Sequence, residues 1–84
     1  MKNNQPYHGW KNYQTWNVSL WIGGDEGLYR LALEYMRNRA KIRGAYLDFI
    51  KDVGLENCRT PDKIKYRSRQ LCCRELDSMM AELR

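Results

Sequence analysis

The chain has 84 residues and a mass of 10.1 kDa, with 43% hydrophobic, 12% aromatic and 30% charged side chains and a mean hydropathy of −0.81. That length supports one small domain, and a chain this short buries only about 60–65% of its unfolded surface, which argues against a deep enclosed active site. The apolar and aromatic content excludes a disordered chain, six Gly and two Pro exclude collagen-like and Pro-rich classes, and no apolar run reaches the roughly 18 residues of a membrane span. The first residues, Met-Lys-Asn-Asn-Gln-Pro, lack the apolar stretch of a signal peptide, so the expectation is a soluble cytoplasmic protein.

Residues 1–12 are polar and read as an N-terminal arm, with residues 13–84 forming a single helical domain. Tyr7, Trp10 and Tyr13 offer the arm a way to fold back onto that domain. From Asn12 to Ile22 two periods compete. Trp16, Val18, Leu20 and Ile22 alternate as in a strand, whereas Trp16–Leu20 and Val18–Ile22 are helical neighbours. Thr15 as N-cap and Gly23-Gly24 as a stop favour a short helix with Trp16 in the core.

Asp25 and Glu26 open a second helix, where acids suit the positive end of the dipole. Leu28, Leu31, Ala32, Tyr35, Met36 and Arg39 carry its apolar face, and Gly44 breaks it. Tyr46, Phe49, Ile50 and Val53 predict a third helix ending at Gly54. Thr60-Pro61-Asp62 is a turn signature, followed by Ile64 and Tyr66 alternating with Lys63, Lys65 and Arg67 as in a short extended segment near residues 63–67. Leu76, Met79, Met80 and Leu83, led by Leu71, Cys72 and Cys73, close the chain as a fourth helix. The expected fold is mostly α, about four helices in one domain.

Charge is the most informative feature. The net charge is +5 with a sequence pI near 9.3. Arg37, Arg39, Lys41 and Arg43 occur with no acid among them, and Arg59, Lys63, Lys65, Arg67, Arg69 and Arg74 share their segment with one acid, Asp62. The two segments carry +9 together and leave −4 for the rest of the chain. Such concentration on a small domain predicts a positive surface fit for an acidic protein patch or for phosphates, and both segments are expected on one face. A solvated face that only maintains solubility is the plainer alternative. Aromatics among bases add contact candidates. Tyr66 lies between Lys65 and Arg67, and Trp10 precedes Lys11; each is equally readable as core.

The three cysteines, Cys58, Cys72 and Cys73, form no spaced even set and no Cys-x2–4-Cys pair, so neither a disulfide scaffold nor a zinc site is expected. His8, the single histidine, sits in the polar arm with no nucleophile beside it. Asp25-Glu26 is explained by helix initiation, and Gly23-Gly24-Asp25-Glu26-Gly27 lacks phosphate-loop spacing. No cofactor, metal or catalytic constellation emerges, so the protein is not expected to be an enzyme. A cysteine- or zinc-dependent activity is the weaker alternative, with Arg69 and Arg74 as the groups that would lower the thiol pKa of Cys72 or Cys73.

Tyr13-Gln14-Thr15-Trp16-Asn17-Val18-Ser19-Leu20-Trp21-Ile22, continued by Asp25-Glu26-Gly27-Leu28-Tyr29, together with Thr60-Pro61-Asp62 and the closing Leu76/Met79/Met80 helix, resembles a family of small uncharacterised proteins encoded mainly by bacteriophages and other mobile elements. The resemblance implies a setting, the host bacterial cytoplasm, and no catalytic residue. In that setting two binding roles compete. One is an inhibitor or modulator docking on a host protein or ribonucleoprotein, such as a CRISPR effector or other defence machine. The other is an accessory protein contacting DNA or RNA phosphates. A membrane surface is a weaker third partner. The expected contact residues are Arg37, Arg39, Lys41, Arg43, Lys63, Lys65, Tyr66, Arg67, Arg69 and Trp10. Size, setting and the absence of a base-reading motif favour the inhibitor.

Overall fold

A computed structural model describes residues 6–83. It contains α1 (Tyr13–Gly24), α2 (Glu26–Arg37), α3 (Ala45–Asp52) and α4 (Cys73–Ala81). Helix α1 packs on α2 and α4, α3 packs on α4 and α2, and α2 also meets α4. The core between them is Val18, Ile22, Ala32, Met36, Tyr46, Phe49, Ile50, Leu76 and Met80, all fully buried, with Tyr66 and Leu71 from the α3–α4 connection. Among the described residues no helix is long and apolar enough to cross a membrane. The first five residues of the expected arm lie outside the described residues.

Helix α1 explains its own ambiguous sequence. Its buried face is largely polar: Gln14, Thr15, Asn17 and Ser19 are inside with Val18 and Ile22, while Leu20 is 44% exposed. The N-cap is Asn12 rather than Thr15. Asn12 Oδ1 accepts from the Thr15 amide at 2.9 Å and from the Thr15 hydroxyl at 2.7 Å. Thr15 Oγ1 in turn accepts the Cys72 amide at 2.9 Å, and Asn12 Nδ2 donates to the Gln70 carbonyl at 2.6 Å. One cap thus ties the start of α1 to the chain entering α4.

A second clamp sits one turn further on. The Asn17 side chain is fully buried. Its Nδ2 donates to Asp62 Oδ2 at 2.7 Å, and its Oδ1 accepts from the Thr60 hydroxyl at 2.7 Å. Trp21 Nε1 donates to the same Asp62 oxygen at 2.8 Å. These bonds satisfy the buried amide and hold the Thr60-Pro61-Asp62 turn against α1.

Helix α2 is capped by Asp25, which accepts from the Leu28 amide at 2.9 Å, as its position in the sequence predicts. It ends at Arg37 instead of continuing to Gly44. Beyond Arg37 the segment offers no apolar buried side: Ala40, Lys41 and Arg43 are exposed, Ile42 is 43% exposed, and the half-buried side chain is that of Arg39. Asn38 Nδ2 donates to the Glu34 carbonyl at 3.2 Å at the helix end. Gly44 takes φ +78° and starts α3, which Asp77 of α4 caps from across the core by accepting the Gly44 and Tyr46 amides at 3.0 and 2.8 Å.

Trp16 departs from the core role that helical spacing assigns it, and Trp10, readable either way, goes to the core. Trp16 is half-buried outside the main core, in a ring cluster with Tyr7, His8 and Tyr13 at centroid separations of 4.9–5.6 Å. Trp10 packs partly buried against the core, positioned by reciprocal backbone bonds between Tyr7 and Trp10 at 2.8 Å. Residues 6–12 thereby cover one side of the domain.

Two outcomes test the Asn17 clamp. Asn17→Ala should cost about 2–3 kcal/mol, roughly 10–20 °C of melting temperature, because it strands the Thr60 hydroxyl and an Asp62 lone pair. The Asn17 and Trp21 hydrogen bonds also hold the Asp62 carboxyl below its ordinary value of 3.8. A depressed folded-state pKa stabilises the fold above the ordinary value and loses that contribution as pH falls through it towards the folded value. Melting curves below about pH 4 should therefore drop less for Asp62→Asn than for the parent.

Candidate functional site

The chain between α3 and α4 forms a minimal antiparallel hairpin over residues 58–66. Tyr66 N–H donates to the Cys58 carbonyl at 3.1 Å and Thr60 N–H to the Ile64 carbonyl at 2.8 Å, flanking a bridge between Arg59 and Lys65. The connection is Pro61-Asp62-Lys63, closed by Lys63 N–H to the Thr60 carbonyl at 2.7 Å, with Lys63 in the left-handed region at φ +69°. Alternation sends Thr60 and Tyr66 inward, where both are buried, and Ile64 partly so. Arg59, Lys65 and Arg67 stay outside with Lys63 at the tip, and all four are exposed.

The bases define adjoining shallow depressions. One is lined by Arg59, Lys63, Ile64, Lys65, Ser68 and Gln70, a second by Glu56, Asn57, Cys58, Arg59, Lys65 and Arg67, and a third by Leu47, Arg67, Ser68, Arg69 and Cys73. Arg67 meets Glu56 at a loose 3.7 Å, with 66% of its side chain exposed. Among the described residues no ion pair engages Arg59, Lys63, Lys65 or Arg69. Asp62, the acid of the turn, is held on the α1 side by Asn17 and Trp21. Arg59 and Lys65 flank the bridge in the geometry that brings side chains closest, and like charges so placed repel.

Lys63, Lys65, Arg67 and Arg69 are therefore brought together as the sequence suggests, and Arg59 joins them. Arg59 already belongs to the basic segment in the sequence, but its place opposite Lys65 follows only from the pairing of residues 58 and 60 with 66 and 64 across the Thr-Pro-Asp turn. Leu47 of α3, 38% exposed, joins the same surface and has no sequence signal.

Three expected contacts leave the set or change character. Tyr66 is 3% exposed and belongs to the core, where its carbonyl accepts the Tyr46 hydroxyl. Trp10 packs against the core. Arg39 is a brace: its Nε and Nη2 donate to the Lys41 and Arg43 carbonyls, and its Nη1 donates to Tyr35 Oη at 3.0 Å and to Asp48 Oδ2 at 2.9 Å. Only 18% of the Arg39 side chain is exposed. Arg37, Lys41 and Arg43 are exposed on the α2–α3 connection and line none of the three hairpin depressions.

No group of three or more His, Cys, Asp and Glu side chains converges as a metal site among the described residues. Cys58 is exposed, and Cys72 and Cys73 are half-buried, all free. Burial, then the neighbouring Asp77 and Cys72, pushes the Cys73 thiol up, opposite to the activation that nearby arginines suggest.

The split between brace and contact is testable on a heparin column. Arg39→Ala should lower stability by about 1–2 kcal/mol and leave retention unchanged. Arg59→Ala should do the reverse.

No curated protein and no solved structure matches the chain. A family model matches residues 3–84. The chain belongs to that family, DUF7249, a family of unknown function.

Proposed function

We propose that the protein is a non-enzymatic binding module that holds duplex nucleic acid by its phosphates through the basic hairpin. The opposed Arg59–Lys65 pair carries this reading. A small domain keeps two like charges face to face, with Lys63, Arg67 and Arg69 around them, although one acidic side chain at either position would favour the hairpin. An anionic partner offsets that repulsion. The hairpin is outward-facing and supplies charge without exposed rings: Tyr66 is buried and Trp10 packs on the core. Stacking on unpaired bases needs such rings, so a duplex backbone suits this surface better than a single strand. The likeness to small phage-encoded proteins is in keeping with such a role in a host bacterial cytoplasm.

A second reading has one observation in its favour. Leu47 is exposed beside Arg67 and Arg69, and an aliphatic anchor among arginines suits a protein interface. On that reading the protein docks on an acidic face of a host protein machine or ribonucleoprotein and inhibits it.

Fluorescence anisotropy with a labelled 20-base-pair DNA duplex separates the two. Five hairpin contacts give a log–log salt slope of about −4 to −5. Arg59→Glu should weaken binding and reduce the slope by at least about 1, while leaving the melting temperature at or above the parent's, since Glu opposite Lys65 replaces repulsion with attraction. Absence of duplex binding at 150 mM salt, with nuclease-resistant capture of one acidic protein that Leu47→Ala abolishes, selects the docking role instead.

A further inference from the structure

Lys63 presents an expense that the fold does not explain. It is exposed, yet its backbone takes φ +69°, a region where a side chain crowds the main chain and where Gly is the favoured residue. Its structural bonds do not account for the choice: its amide closes the turn, a bond any non-proline residue makes, and no ion pair among the described residues includes its ammonium.

The conformation is imposed from outside. Thr60 is anchored through its hydroxyl to Asn17, Asp62 is anchored to Asn17 and Trp21, and Thr60 N–H is bonded to the Ile64 carbonyl. With residues 60, 62 and 64 all fixed, the backbone at position 63 has no freedom to relax. A glycine there relieves the crowding, and the chain carries a cation instead. Strain kept at an exposed position by over-determined surroundings points to a role for the side chain itself.

We propose that Lys63 is a phosphate-contacting residue for duplex DNA, carried at the rigid tip of the hairpin at the expense of fold stability. This inference rests on the reading of the hairpin as a phosphate-binding surface. The neighbouring Asp62 makes no ion pair with the lysine at the tip; its Oδ2 is engaged by the Asn17 amide and the Trp21 indole on the α1 side. Arg59 and Lys65 line one depression with Lys63, so the tip adds a third cation to that surface. A turn pinned to a buried amide presents those cations with little backbone freedom left to lose on binding.

The experiment compares Lys63→Gly, Lys63→Ala and Lys63→Arg in the full chain, by thermal melting and by anisotropy on the labelled 20-base-pair DNA duplex over a salt series. Lys63→Gly should melt about 3 °C or more above the parent, and Lys63→Ala within about 2 °C of it, because only Gly relieves the backbone. Both should bind several-fold more weakly, with the salt slope smaller by about 1, and Lys63→Arg should retain the slope. If Lys63→Gly keeps the parent's affinity and slope while Arg59→Glu still weakens binding, the lysine contact is overturned and the hairpin surface stands. If Lys63→Gly fails to raise the melting temperature, the exchange of stability for contact is overturned. If Arg59→Glu also binds as the parent does, the hairpin surface itself is wrong and the role of Lys63 falls with it.

Discussion

The carboxamide of Asn17 organises this fold. It is an amide with no access to water, and its donor and acceptor ends are both met by residues 43 and 45 positions away, Thr60 and Asp62. A buried amide without partners costs more than most single hydrophobic contacts return, so α1 reaches its observed state only with the Thr-Pro-Asp turn in place. The turn in its own right is a short loop with little apolar surface. Each stabilises the other, and the indole of Trp21 adds a third hold on the same carboxylate oxygen. The register of the hairpin, the inward direction of Tyr66 and the outward direction of the bases all follow from that anchorage.

Acids and bases are used unevenly. Asp25 caps α2, Asp77 caps α3 from across the core, Asp48 holds Arg39, Glu75 accepts the Lys11 amide and Asp62 locks the hairpin turn. These carboxylates serve the backbone and the connections. Of the bases, Arg39 is drawn into the same structural service, whereas Arg59, Lys63, Lys65 and Arg69 are left to the surface. The positive character of the hairpin thus reflects where the fold places its bases and its acids, not the net charge alone.

Helices α3 and α4 were legible from spacing because their apolar residues do the burying, as in Tyr46, Phe49 and Ile50 or Leu76 and Met80. Helix α1 was half legible: Thr15, Asn17 and Ser19 point inward, so hydrophobic periodicity describes its interior poorly. Spacing carries α2 past its observed end because Arg39 matches the helical repeat, while its guanidinium is engaged by carbonyls of a loop that local pattern does not reveal. The basic cluster was visible in composition. Its shape was not, since Arg59 and Lys65 become neighbours only through hairpin pairing, and Tyr66 becomes core only through the same alternation.

The long sequence separation of the Asn17 clamp has a consequence for biosynthesis. The partners of Asn12, Thr15 and Asn17 lie at residues 60–72, and α4 contributes Leu76 and Met80 to the core. During translation the first helix emerges long before anything that can satisfy its polar inner face, and an isolated twelve-residue helix is marginal in water. The nascent chain therefore has no stable amino-terminal half to fold early. Closure of the long loop and formation of the domain come together, once residues 60–80 have left the ribosome.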